Sequence, residues 1–145
     1  DGVMSRGLGD VYKRQGTAIQ PTGVSNLIAT SISQYASDLS LFWILLIILI
    51  ITMATTDIIN NAATAVIMAP ISVGIASELG YAIEPFLMVV AVGASCAFLT
   101  PIGHQCNTVV MGPGNYKFTD YWRMGLPMDI LIILASIPMI LFVWT

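Results

Sequence analysis

Two polar interruptions carry the chemistry of this chain: Thr56-Asp57-Ile58-Ile59-Asn60-Asn61-Ala62-Ala63-Thr64 and Thr100-Pro101-Ile102-Gly103-His104-Gln105-Cys106-Asn107. Each sits inside an otherwise apolar stretch. Asn61 offers a carbonyl oxygen to a hard cation and an NH2 group to an anion, so one side chain can touch both. Thr56, near the end of the incoming segment, adds a hydroxyl and freed helix-end carbonyls of the kind that complete an oxygen shell for Na⁺. A helix starting at Ala62-Ala63-Thr64 directs the positive end of its dipole toward an anion. The alternative role for Asn60-Asn61 is to cap that helix and bond to neighbouring helices.

In the second interruption Gly103 lets a ligand approach its carbonyl, and His104, Gln105 and Asn107 follow as donors to an anion. His104 is the only histidine, and a satisfied packing role is open to it. A zinc or haem site needs more ligands of the right type than the chain offers. Asp57 reads as the only carboxylate at mid-membrane. It is a candidate to tune the cation site, to carry a proton, or to brace backbone amides. Cys96 and Cys106 lack a C-x-x-C spacing and read as small buried packing residues. Gly-x-Ser-x-Gly and phosphate-loop patterns are missing, so an enzyme is not expected.

These residues must be held by membrane-embedded helices. The chain is 57% hydrophobic and only 9% charged, with a mean hydropathy of +0.85, which suits a bundle facing hydrocarbon. A soluble fold of 145 residues leaves roughly a third or more of its surface exposed and cannot hide so much apolar area. Backbone that leaves a helix at membrane depth survives only where protein encloses it, and paired breaks of this kind are how membrane carriers hold solutes.

Residues 41–54 carry no charge and reach about 21 Å, short of the roughly 30 Å hydrocarbon core. With a second arm over 62–76, ending at Ser77-Glu78-Leu79-Gly80, they predict a re-entrant hairpin over 41–78 with its tip at mid-membrane. Glu84-Pro85 opens a helix broken at Thr100-Pro101-Ile102-Gly103 and briefly resumed after Asn107, giving a discontinuous helix over 84–111. Tyr121-Trp122-Arg123 forms an interface belt before a final span over 122–144, which Pro127 and Pro138 are expected to kink. Residues 16–39 read as a linking or interfacial helix.

Residues 1–15 fit none of this. They hold Arg6, Lys13 and Arg14 and no apolar core of the kind a signal peptide needs. Asp10-Val11-Tyr12-Lys13-Arg14-Gln15 is what GAT GTG TAT AAG AGA CAG encodes, a string resembling a transposon mosaic end used in sequencing adapters, so a native chain is expected to start near Gly16, inside a longer gene. Without that leader Lys117 and Arg123 stand against six acidic residues, which argues against nucleic acid as a partner. Lys117 lies in the 112–122 loop and Arg123 borders it, and the positive-inside rule puts this loop in the cytoplasm with the C-terminus outside.

Thr56-Asp57-x-x-Asn60-Asn61-Ala62-Ala63-Thr64-Ala65, followed by Ala94-Ser95-Cys96-Ala97-Phe98-Leu99-Thr100-Pro101-Ile102-Gly103-His104-Gln105-Cys106-Asn107-Thr108, resembles the C-terminal repeat of the divalent anion:sodium symporter superfamily, which includes citrate transporter-like domains. Tip and break lie 42 residues apart (Asn61 to Gly103), in the family's order and layout. The resemblance implies an all-α polytopic membrane protein and one of two inverted repeats, with a re-entrant hairpin, an unwound helix and a final span. It implies a sodium-coupled importer of a small divalent anion, sulfate-like or dicarboxylate, with Na⁺ as coupling ion, no organic cofactor and elevator-like motion. Thr56, Asn60, Asn61 and the Gly103 carbonyl would then form the sodium set. Asn61, Ala62, His104, Gln105 and Asn107 would form the substrate set, with Asp57 in a tuning or proton role.

Asn60 and Ala62 replace the motif Ser and Thr, and His104-Gln105 replaces Thr-Pro, which brings the chain closer to the sulfate-permease-like bacterial branch. Expected partners are the anion, the lipid bilayer of a bacterial inner membrane, a missing N-terminal repeat and a second copy in a homodimer. A proton-coupled anion permease and a non-transporting polytopic assembly subunit are the alternatives.

Overall fold

The computed structural model describes residues 39–144. The leader over 1–15 and, apart from Leu39, the helix expected over 16–39 lie outside the described residues. Among those described there are five helices and no strand: α1 Leu41–Thr56, α2 Asn61–Leu79, α3 Ile83–Ser95, α4 Gln105–Met111 and α5 Phe118–Trp144.

The helix ends follow from local chemistry. In α1 the Thr52 and Thr55 hydroxyls donate to the Ile48 and Ile51 carbonyls at 2.7 Å, which satisfies them inside an apolar helix. The Asn60 side-chain oxygen accepts the Ala63 N–H at 2.9 Å and starts α2. Gly80 ends that helix in the left-handed region at φ 72°. Its N–H donates to Ser77 O and that of Tyr81 to Ala76 O, the paired bonds of a Schellman cap. In the first turn of α3, Glu84 faces the positive end of the dipole and Pro85 loses no helical bond.

Two helices differ in extent from the sequence expectation. α2 has 19 residues and outruns the arm expected over 62–76, because the Ser77 hydroxyl donates to Val73 O and the helix continues to its glycine stop. α5 has 27 residues and starts at Phe118 rather than 122. There the Asp120 carboxylate reaches back to accept the Lys117 N–H at 2.8 Å, half of a capping box. Pro127 and Pro138 both lie inside this one helix.

α2 and α5 are long and apolar enough to cross a membrane. α1 and α3, with 16 and 13 residues, reach only about 24 and 20 Å against a core of roughly 30 Å.

α3 is the centre of the bundle. It packs against α1, α2 and α5, and its Phe86 and Val89 are fully buried among Leu45, Leu49 and Ile75. At Gly93 a Cβ would lie 2.9 Å from the Thr52 Cβ, so this glycine sets how closely α1 and α3 approach. Small residues at such a crossing let dispersion contacts hold helices together where lipid removes the hydrophobic drive. Outward, α1 exposes Trp43, Ile47 and Ile50, and α5 exposes Leu131, Leu134 and Phe142, an apolar surface suited to hydrocarbon.

Candidate functional site

The α1–α2 turn and the 96–104 break bring four helix ends together. Thr52 and Thr55 bond back into their own helix, but Thr56 does not. Its hydroxyl lies 3.0 Å from Asn61 Oδ1 and 3.0 Å from the Ala94 carbonyl near the end of α3. A hydroxyl has one proton for these two acceptors, so the three oxygens lack one positive partner for full satisfaction. The negative dipole ends of α1 and α3 meet here, adding partial negative charge. Gly103 presses on the same spot: a Cβ there would lie 2.8 Å from the Thr56 carbonyl oxygen and 3.1 Å from the Asp57 Cα. Thr56, Asn61 and Gly103 are therefore brought together, joined by a backbone carbonyl that side-chain reasoning had no means of finding.

Asp57 ties the two breaks to each other. Its Oδ1 accepts the Leu99 N–H at 3.1 Å, and its carbonyl accepts the Thr100 hydroxyl at 2.6 Å. Thr100 Oγ1 in turn accepts the Gly103 N–H at 3.2 Å. The bracing of backbone amides foreseen as one role for Asp57 thus runs to the opposite break, while its Oδ2 is buried without a hydrogen-bond partner among the described residues.

Asn107, in the first turn of α4, staples the break. Its Nδ2 donates to Ala97 O at 3.0 Å and to Thr100 O at 3.3 Å, and its carbonyl accepts the Tyr121 hydroxyl at 2.7 Å. The Thr108 hydroxyl donates to Pro101 O. The Ala97, Thr100 and Pro101 carbonyls of the unwound segment are thereby satisfied from within the chain. α5 supports that segment from outside, since a Cβ on Gly125 would run into the Phe98 carbonyl. An apolar cavity of about 440 Å³ lies between α4 and α5, lined by Phe98, Cys106, Val110, Tyr121, Met124 and Met128.

The other candidates take separate places. Asn60 spends its side-chain oxygen on the α2 cap. His104 caps α4, its Nδ1 accepting the Cys106 N–H at 3.2 Å. Ala62, His104 and Gln105 are exposed, around the starts of α2 and α4. Two expectations are corrected. Cys106 is exposed rather than buried, because it faces the open space between α4 and α5, whereas Cys96 is buried. Asp57 is not the only carboxylate in the apolar interior: Asp129, in α5, is 7% exposed because it shares the inward face with Gly125. The signal was present in the sequence, an acidic residue between Met128 and Ile130 inside a long apolar run.

Known transporters resemble this chain over most of its length. A family model described as the sodium:sulfate symporter transmembrane region matches residues 16–145. An uncharacterized transporter of Synechocystis is 36% identical over 129 residues, covering 89% of this chain and 21% of its own length. The sodium/sulfate cotransporter 2 of Chlamydomonas reinhardtii is 28% identical over 82% of the chain and 14% of its own length. The sodium-dependent high-affinity dicarboxylate transporter 3 of Caenorhabditis elegans is 29% identical over 79% of the chain and 20% of its own length. The chain spans about a fifth or less of these relatives. Matched by the family model from residue 16 to its end, with two apolar helices of membrane-crossing length beside two broken segments, this chain belongs to the sodium:sulfate symporter family of integral membrane transporters.

Proposed function

We propose that this chain is the C-terminal half of the transport domain of a sodium-coupled importer for a small divalent anion, sulfate-like or dicarboxylate. The observation that carries this is the oxygen cluster of Thr56 Oγ1, Asn61 Oδ1 and Ala94 O, with one proton among them and two helix C-termini behind them. A sodium ion supplies the missing charge, with the Gly103 carbonyl as a further ligand. Holding Asn61 Oδ1 inward commits its NH2 group to the anion, beside Ala62, His104 and Gln105. Asn60 contributes through its cap on α2, Asn107 through its staple on the break, and Asp57 tunes the cation site.

Coupling then comes from shared ligands: sodium orders the Asn61 tip and offsets the anion's charge before the loaded site crosses a low-dielectric barrier. α1 and α2 form a re-entrant hairpin in this scheme, and an N-terminal repeat of the same longer chain supplies the other half of the site. The carrier works as a homodimer in a bacterial inner membrane, with the Lys117 loop in the cytoplasm.

The test is uptake of labelled sulfate and of a four-carbon dicarboxylate by the complete carrier in proteoliposomes, with and without a sodium gradient at fixed pH. Uptake of either anion that rises with sodium supports the proposal. Uptake driven by a proton gradient alone returns the proton-coupled alternative, and no uptake of any anion returns the assembly-subunit alternative. In the same assay His104→Ala is expected to shift the sulfate-to-dicarboxylate preference by about threefold or more while leaving sodium dependence nearly intact, since the loss of one hydrogen bond of about 0.5–1.5 kcal/mol falls on the anion alone. An unchanged preference places His104 outside the anion site.

A further inference from the structure

Tyr121 lines the apolar cavity between α4 and α5, beside Phe98, Val110, Met124 and Met128. A phenylalanine would fill that wall equally well, and a tyrosine of an interfacial belt would turn its hydroxyl to headgroups. This hydroxyl turns to the protein instead and donates to the Asn107 carbonyl at 2.7 Å. The turn before α5 sets it there. The Tyr116 ring meets the Tyr121 ring edge-on, with centroids 6.3 Å apart, and lies over Gly114, where a Cβ would run into it. The Tyr116 N–H is held by the Met111 carbonyl at 3.2 Å.

What this bond holds is a helix with little packing of its own. No residue of α4 is buried, and polar bonds tie it to the break: Asn107 Nδ2 to Ala97 O and Thr100 O, and the Thr108 hydroxyl to Pro101 O. Beyond Thr100 the path continues inward. The Thr100 hydroxyl donates to Asp57 O and accepts the Gly103 N–H, and Gly103 abuts the Thr56 carbonyl. A hydroxyl on α5 is thus joined, through Asn107 and Thr100, to the backbone around the Thr56 and Asn61 oxygens.

We propose, on the strength of the sodium-coupled function above, that Tyr121 is a positioning residue for ion binding: its hydroxyl holds α4, and with it the break that carries the Gly103 carbonyl, in the arrangement that receives sodium. Without the hydroxyl the break samples further arrangements, and sodium must select the competent one. Apparent affinity then falls with the competent fraction, while saturating sodium restores that fraction. The signature of positioning is therefore a changed half-saturation with the maximal rate preserved.

The experiment is sodium titration, at fixed pH, of labelled sulfate and four-carbon dicarboxylate uptake by the complete carrier in proteoliposomes, each rate scaled to inserted protein. Tyr121→Phe keeps the ring and removes one hydrogen bond, so half-saturating sodium is expected to rise about three- to tenfold with the maximal rate within about twofold of wild type. Tyr116→Phe keeps the edge-on contact and is expected to match wild type. The second measurement is thiol labelling of the exposed Cys106, next to Asn107, read against Cys106→Ser. Without sodium Tyr121→Phe is expected to label about threefold faster or more, and saturating sodium to return it to the wild-type rate. An unchanged half-saturation or an unchanged labelling rate in Tyr121→Phe overturns the proposal. A lower maximal rate at unchanged half-saturation, or a lower inserted amount alone, makes the hydroxyl a structural group and overturns it too. An equal shift in Tyr116→Phe assigns the effect to the turn instead of the bond, with the same consequence. Wild-type uptake without any sodium dependence overturns the sodium-coupled function and this proposal with it, whereas a sodium-dependent wild type whose Tyr121→Phe curve is unchanged overturns the role of Tyr121 alone.

Discussion

Replacing Asn61 with alanine is expected to reduce sodium-driven uptake to background while the protein still inserts in the membrane. Asn61 opens α2, and its Oδ1 lies 3.0 Å from Thr56 Oγ1. With that oxygen removed, Thr56 keeps only Ala94 O as a partner, one proton for one acceptor, and the local need for a cation disappears. The loss of one ligand to a charged group is worth about 1.5–3 kcal/mol, roughly ten- to more than hundredfold in sodium affinity. Loss of the NH2 group falls on the anion in the same variant, so the two affinities drop together. The control is Asn60→Ser, which retains a capping oxygen for the Ala63 N–H and is expected to leave sodium affinity within about twofold, a change of ~0.4 kcal/mol. Sodium titrations of uptake in the complete carrier measure both. Full transport by Asn61→Ala removes this residue from the site, and a collapse in Asn60→Ser equal to that of Asn61→Ala makes Asn60 a ligand in its own right.

Gly103→Ala is expected to have the second largest effect, through the backbone. The added Cβ meets the Ala97 Cβ at 2.7 Å, the Thr56 carbonyl oxygen at 2.8 Å and the Asp57 Cα at 3.1 Å. All three belong to the frame of the site, and two of them are backbone, so the crowding cannot be relieved by a rotamer change. Overpacking of this kind costs about 1–3 kcal/mol, and the break moves away from the α1 terminus. Half-saturating sodium is expected to rise about tenfold or more, and labelling of the exposed Cys106 by a thiol reagent is expected to change as the start of α4 shifts. Adding Ala97→Gly removes one of the three contacts and is expected to rescue only in part. Complete rescue by Ala97→Gly means that side-chain crowding alone was at fault and that the close approach of Gly103 to Thr56 O is incidental to ion binding.

Much of the architecture was legible because helix boundaries obey local rules. Asn60 before a small-residue run and Gly80 after a polar exit each mark an end through bonds to residues within a few positions, and Pro85 marks a first turn because it has no N–H to leave unsatisfied there. The polar interruptions at 56–64 and 100–107 stand out from apolar neighbours for the same reason. The misjudged extents of α2 and α5 came from the same kind of short-range bond made by side chains that look like loop residues, Ser77 to Val73 O and Asp120 to the Lys117 N–H.

What the chain determined by itself was its class, its helices and the identity of the polar residues at each break, since hydropathy, capping and turn chemistry all act over a turn or two of helix. Only the tertiary structure decided which groups meet. Ala94 reaches Thr56 across 38 positions and Leu99 reaches Asp57 across 42, contacts that exist because α3 packs centrally against α1, α2 and α5. The decisive partners are a backbone carbonyl, which every residue type supplies, and a backbone amide, which every type but proline supplies. No residue pattern can encode them, and it is the close crossings at Gly93, Gly103 and Gly125 that set them in place.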